Sequence, residues 1–130
     1  MEFAIGAILG LAIAAGATVT GFDKDRSFYP TVLIVIATYY ALFAVMGEAY
    51  EVLTFELLAA GGFILVAIVG YRTSLWLVAL GLVAHGIFDY SHESLIENPG
   101  VPSWWPGFCL AIDATLGAWL ITVLAKRSTQ

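Results

Sequence analysis

The sequence predicts an all-α polytopic membrane protein: a bundle of five transmembrane helices, N-terminus outside and C-terminus cytoplasmic. Three observations carry that prediction. Hydrophobic residues make up 61% of the 130 and charged residues 12%, with a mean hydropathy of +0.92, more apolar surface than a soluble core of this size can hide. Apolar runs at approximately 3–21, 28–47, 52–71, 74–96 and 104–125 each approach the ~20 residues needed to cross a ~30 Å hydrocarbon core. Finally, Lys24, Arg26, Arg72, Lys126 and Arg127 all fall on one side if the chain crosses five times, whereas four crossings would divide them. The positive-inside rule makes that side the cytoplasm. The expected setting is a bacterial inner membrane, with residues 1–130 forming a single transmembrane domain.

The first run opens Met1-Glu2-Phe3-Ala4 with no Lys or Arg before Lys24, so it lacks the positive start of a secretory signal and reads as a spanning helix. It carries Gly6, Gly10, Ala14 and Thr18, a small-residue stripe that lets another helix approach closely. Packing inside the same bundle is the expected use, with a homodimer face as the alternative. Residues 21–30 mix Asp23, Lys24, Asp25 and Arg26 before Pro30, a solvated turn running into the first turn of helix two, where a missing N–H costs nothing. Helix two is apolar apart from Thr38, Tyr39 and Tyr40, which are expected to face other helices.

A short acidic link with Glu48 and Glu51 leads to helix three, which holds Glu56 near its start and Gly61-Gly62 mid-span. The glycine pair predicts a close neighbour or a local distortion. Ser74 is placed to cap helix four and Ser103 to cap helix five, with Pro106 tolerated in the first turn. Between those helices, Pro99 and Pro102 stiffen a loop that ends in Trp104-Trp105. Anchoring at the headgroups is the expected role of at least one tryptophan, and both, with Tyr39 and Tyr40, are candidates for lining an entrance.

The chemistry concentrates in helix four. His85, Asp89 and His92 share one helix face at 100° per residue, and a charged side chain at a helix centre costs roughly 2.5–3.5 kcal/mol on insertion. Something must compensate. Asp113 on helix five lies about 13 Å below Trp104, and His85 about 15 Å below Leu95; helices joined by a short loop are usually neighbours, so the two are expected to meet. On the five-helix map Glu2, Glu48, Glu51, Glu56, Asp89, Glu93, Glu97, Asp113 and both histidines lie toward the outer half, leaving only Asp23 and Asp25 inside. A polar site open to the outer face follows.

Imidazole and carboxylate together suit a divalent metal such as zinc, iron or manganese. His85 and Asp89, or Asp89 and His92, are one-turn neighbours, whereas the histidines stand about 10.5 Å apart along the axis. A mononuclear site therefore takes one histidine, Asp89 and an acid from elsewhere, Asp113 or Glu56; two ions bridged by Asp89 also fit the spacing. The pattern His-x3-Asp-x2-His is not the zinc-protease motif, because Ile96 stands where its second histidine would be. The leading reading is metal binding for hydrolytic, redox or transport chemistry. One alternative is a metal-free acid–base site made by His85, Asp89 and Asp113, acting on a lipid-like substrate in the manner of small helical sterol isomerases. The other is a structural polar network in an accessory subunit of a larger membrane complex.

No haem is expected, since the only two histidines share one helix, and no nucleotide is expected either. The single Cys109 rules out an intrachain disulfide, and the net charge of −5 argues against nucleic acid. The lipid bilayer is the expected partner, with a homo-oligomer or larger complex left open. The stretch His85-Gly-Ile-Phe-Asp89-Tyr-Ser-His92, followed by Val101-Pro102-Ser103-Trp104-Trp105-Pro106-Gly-Phe-Cys109-Leu-Ala-Ile-Asp113, resembles an uncharacterised bacterial family of small multi-pass membrane proteins. The resemblance implies that His85, Asp89, His92, Trp105, Pro106, Cys109 and Asp113 occupy its motif positions, and it implies no activity.

Overall fold

The first apolar run forms α1, Glu2–Thr20, in a computed structural model that describes residues 1–129. Gly21, at φ 85°, ends this helix in the left-handed conformation that glycine adopts without a Cβ clash. A single 3-10 turn, Phe22–Lys24, leads to α2, Phe28–Ala37, and α3, Tyr39–Met46. Then come α4, Tyr50–Arg72, α5, Leu75–Leu95, and α6, Trp105–Ser128. No strand occurs among the described residues. Four units, α1, the α2–α3 stack, α4 and α6, are long and apolar enough to cross a membrane. The 21-residue α5 is as long, but His85, Asp89, His92 and Glu93 dilute its apolar character.

The second run is not the single helix expected over 28–47. Thr38 donates its hydroxyl to the Val35 carbonyl at 2.7 Å, and its own amide bonds the same oxygen at 3.2 Å. That tightened turn interrupts the i→i−4 ladder and separates α2 from α3. The last helix begins at Trp105 with no side-chain cap, so Ser103 does not cap it; Pro106 does sit in the first turn. Ser74 caps α5 as expected, its hydroxyl accepting from the Trp76 amide at 3.3 Å. Gly61 and Gly62 receive no neighbour: a Cβ on either would meet nothing within 4 Å.

Helix packing follows the order α1, α6, α5, α4, with α2 and α3 laid against α4 and α2 also touching α5. The stripe on α1 serves the first of these contacts. Gly6, Gly10, Ala14 and Ala17 are buried, and a Cβ on Gly6 would run into the Phe108 carbonyl of α6. The stripe therefore packs within the bundle. Thr18, also read into it, instead donates its hydroxyl to Asp23 at 2.7 Å.

At the end of the molecule holding the 21–27 turn, Arg26 donates from Nε to the Tyr71 carbonyl at 2.6 Å and from Nη2 to the Gly70 carbonyl at 3.3 Å. It thereby satisfies open carbonyls at the C-terminus of α4, and ties the first and third connections to one end. Beside it, the Asp25 carboxylate accepts from the Ser27 amide and hydroxyl, which holds it below the usual aspartate range. The dry core occupies this half: Leu33, Ile36, Ala67, Leu75, Val78, Leu82, Leu116 and Leu120 pack there. At the opposite end, Asn98 donates to the Tyr40 carbonyl at 3.0 Å and accepts from the Gly100 amide at 3.1 Å, fastening the proline-rich loop to α3.

Candidate metal centre

Three inward stripes meet in the other half. On α5 the buried positions run Leu75, Val78, Leu82, His85, Asp89 and His92, a 3–4 spacing that is apolar below and polar above. On α6 the stripe is Cys109, Asp113, Leu116 and Leu120, so Asp113 occupies what is otherwise an apolar packing position. On α4 it is Glu56, Ala60, Ala67 and Gly70. Close approach of α5 and α6 depends on Gly86, where a Cβ would stand 3.2 Å from the Cβ of Asp113. A larger residue there would push Asp113 away from its partner.

Those stripes bring His85, Asp89 and Asp113 together, with ligand-capable atoms all within 4.8 Å of one another. Their exposures are 1%, 0% and 0%. His85 Nδ1 lies 2.7 Å from Asp113 Oδ2 and 3.2 Å from Asp89 Oδ2, and a single N–H can satisfy only one of them. The shorter and better aligned contact goes to Asp113. Asp89 Oδ1, Asp89 Oδ2 and Asp113 Oδ1 are left with no hydrogen-bond partner among the described residues. Buried acceptors of this kind are costly to leave unsatisfied.

His92 and Glu56 form a separate pair. His92 Nε2 lies 2.6 Å from Glu56 Oε1, and the imidazole stacks on the Tyr40 ring with centroids 3.7 Å apart and planes at 9°. Phe88 and Phe63 stand between the two clusters, Phe63 meeting the His85 ring edge-on at 4.6 Å. The five candidate ligands thus divide into a triad that gathers around one point and a hydrogen-bonded pair in which Glu56 Oε2 alone is left unpartnered.

The four entrance candidates divide as well. Tyr39 and Trp105 meet edge-to-face at 5.3 Å, both in the wall of a groove of about 710 Å³. Trp104 is half exposed and is not part of that wall, while Tyr40 is 2% exposed and lies inside the bundle. Glu48, Glu51, Glu93 and Glu97 are exposed. Sequence reasoning missed Phe63 and Phe88, the aromatic wall between the clusters. The signal was there for Phe63, which follows Glu56 by seven residues and so shares its helix face.

The donor set can hold a divalent cation. One imidazole and two carboxylates within 4.8 Å of one another make a donor set suited to zinc, iron or manganese. Three protein donors also leave coordination positions open. No protein-family model, curated protein or solved structure matches the chain.

Proposed function

We propose that the protein spans a bacterial inner membrane five times, N-terminus outside, and binds one divalent metal ion at His85, Asp89 and Asp113 for hydrolytic, redox or transport chemistry. The observation that carries this reading is the group of three unpartnered carboxylate oxygens around one imidazole. Two buried carboxylates cost several kcal/mol each to hold in a low-dielectric interior without compensation. A dication compensates both at once, whereas the one N–H that His85 Nδ1 can offer serves only one of them. The oxygen-rich donors favour manganese or iron over zinc. A three-donor set with open positions is the arrangement of metal sites that bind substrate, whereas structural sites are closed.

The five-span topology rests on the placement of the bases and on the length of α5. Within a bundle, the polar stripe of α5 faces protein on α4 and α6, which relieves its insertion cost.

A direct test is metal titration of chelator-stripped protein with Mn²⁺, Fe²⁺ and Zn²⁺, reading thermal stability. An ion at 100 times its dissociation constant should add about 2.7 kcal/mol. The effect should weaken as pH falls, since the metal competes with protons for imidazole and carboxylates. No stabilisation by any of the three ions would refute the proposal.

A further inference from the structure

Two buried polar groups of opposite kind face each other without bonding. The Tyr40 hydroxyl has no hydrogen-bond partner among the described residues, and neither oxygen of Asp89 has one. Tyr40 is 2% exposed, and its hydroxyl is directed at the Asp89 carboxylate, with Asp113 and Cys109 also around it. A phenol and a carboxylate left unsatisfied side by side cost free energy on both sides. A hydrogen bond from a hydroxyl to an ionised carboxylate is among the stronger ones.

The phenol is fixed from several directions. Tyr40 sits in the first turn of α3, directly after the break at Thr38, and its backbone carbonyl accepts from Asn98. Its ring stacks on His92, and Phe88 meets it edge-on with centroids 5.8 Å apart. Packing of this kind on every side is what holds a supporting group in one orientation.

We infer that Tyr40 is a positioning residue of the metal centre: its hydroxyl donates to the Asp89 oxygen that the ion does not take. The inference rests on the metal reading of His85, Asp89 and Asp113, and supplies that site with its supporting donor. An ion bound through one oxygen of Asp89 leaves the other in a dry interior, where it needs a donor. His85 Nδ1 is already committed, to Asp113 or to the ion. The Cys109 thiol is only a weak donor. Tyr40 carries the strong, uncommitted O–H that faces Asp89. Ligating carboxylates are in general hydrogen-bonded in turn, and loss of that support weakens metal binding.

The test compares the full chain in detergent, stripped of metal, with Tyr40→Phe and with Tyr90→Phe, which removes a hydroxyl from an exposed position beside Asp89. Affinities for Mn²⁺, Fe²⁺ and Zn²⁺ are read by competition with a chelator, and thermal unfolding is followed without metal. The tyrosine absorption band is recorded with and without the ion. Tyr40→Phe should weaken binding about tenfold to hundredfold, and Tyr90→Phe should leave it unchanged. The metal-free stability of Tyr40→Phe should equal or exceed that of the parent, because the substitution removes a hydroxyl that has no partner. The ion should shift the parent's tyrosine band to longer wavelength as the phenol becomes a donor to an anion, and Tyr40→Phe should lack that shift.

Equal affinities in the parent and Tyr40→Phe would overturn the inference and leave the metal centre standing. Weaker binding together with lower metal-free stability and an unchanged tyrosine band would make Tyr40 a packing residue, which also overturns it. A parent that binds none of the three ions refutes the centre itself, and the inference falls with it, so the two failures are distinguishable.

Discussion

His85 and His92 sit on the same face of α5 and meet different partners. His85 is flanked by two carboxylates, one of which has both oxygens free; His92 has a single carboxylate and a stacked phenol ring. The first arrangement leaves three carboxylate oxygens unpartnered around one imidazole, and the second leaves only Glu56 Oε2. His92→Gln and Glu56→Gln should therefore keep the metal but lower stability by about 1–2 kcal/mol, the upper range for interhelical hydrogen bonds in membranes. Thermal unfolding together with metal content checks both, and loss of metal in either variant would merge the two clusters into one site. The sequence made the 85/89/92 face legible through spacing alone, and equal depth on consecutive helices brought His85 to Asp113. Spacing could not say which acid each histidine would take, because Glu56 comes from a helix whose rotation is set by packing with α5.

At the scale of elements, glycines separate into those that receive a neighbour and those that face outward. Gly6 admits the α6 backbone, while Gly61 and Gly62 face open space. Gly6→Leu should cost about 1–3 kcal/mol by overpacking, whereas Gly61→Leu should stay within about 0.5 kcal/mol of the parent, as substitutions away from packed features do. Unfolding of both variants in the same detergent decides it, and equal effects would contradict the α1–α6 contact. Sequence alone could not tell these glycines apart, since a small residue marks the capacity for close approach and not its use. The break at Thr38 was hidden for a related reason: a threonine can bond a preceding carbonyl inside a continuous helix too. Ser103 had the chemistry of a cap, but the chain after Pro102 places Trp104 at the helix boundary.

The whole molecule is polarised along its long axis. One half is a dry core bounded by the Arg26 contacts to α4; the other holds both polar clusters beneath the loop pinned by Asn98. Two openings reach the polar half. A pocket of about 250 Å³, lined in part by His92, Asn98 and Pro102, meets the His92–Glu56 pair, and the groove of about 710 Å³ has Asp113 in its lining. The proposed orientation predicts that Glu48→Cys is modified by a membrane-impermeant maleimide on intact cells, and that Lys24→Cys is modified only after permeabilisation. The reverse pattern would invert the topology. The buried Cys109 keeps the background low.

The central claim is that three converging donors hold an ion, and elemental analysis tests it most directly. The protein is purified in mild detergent without chelator, beside Asp89→Asn and His92→Gln. One equivalent of manganese, iron or zinc in the parent and in His92→Gln, falling at least tenfold in Asp89→Asn as even outer-shell ligand losses can produce, is the predicted result. A parent without metal after growth with metal supplied, or an Asp89→Asn variant that keeps it, would contradict the claim.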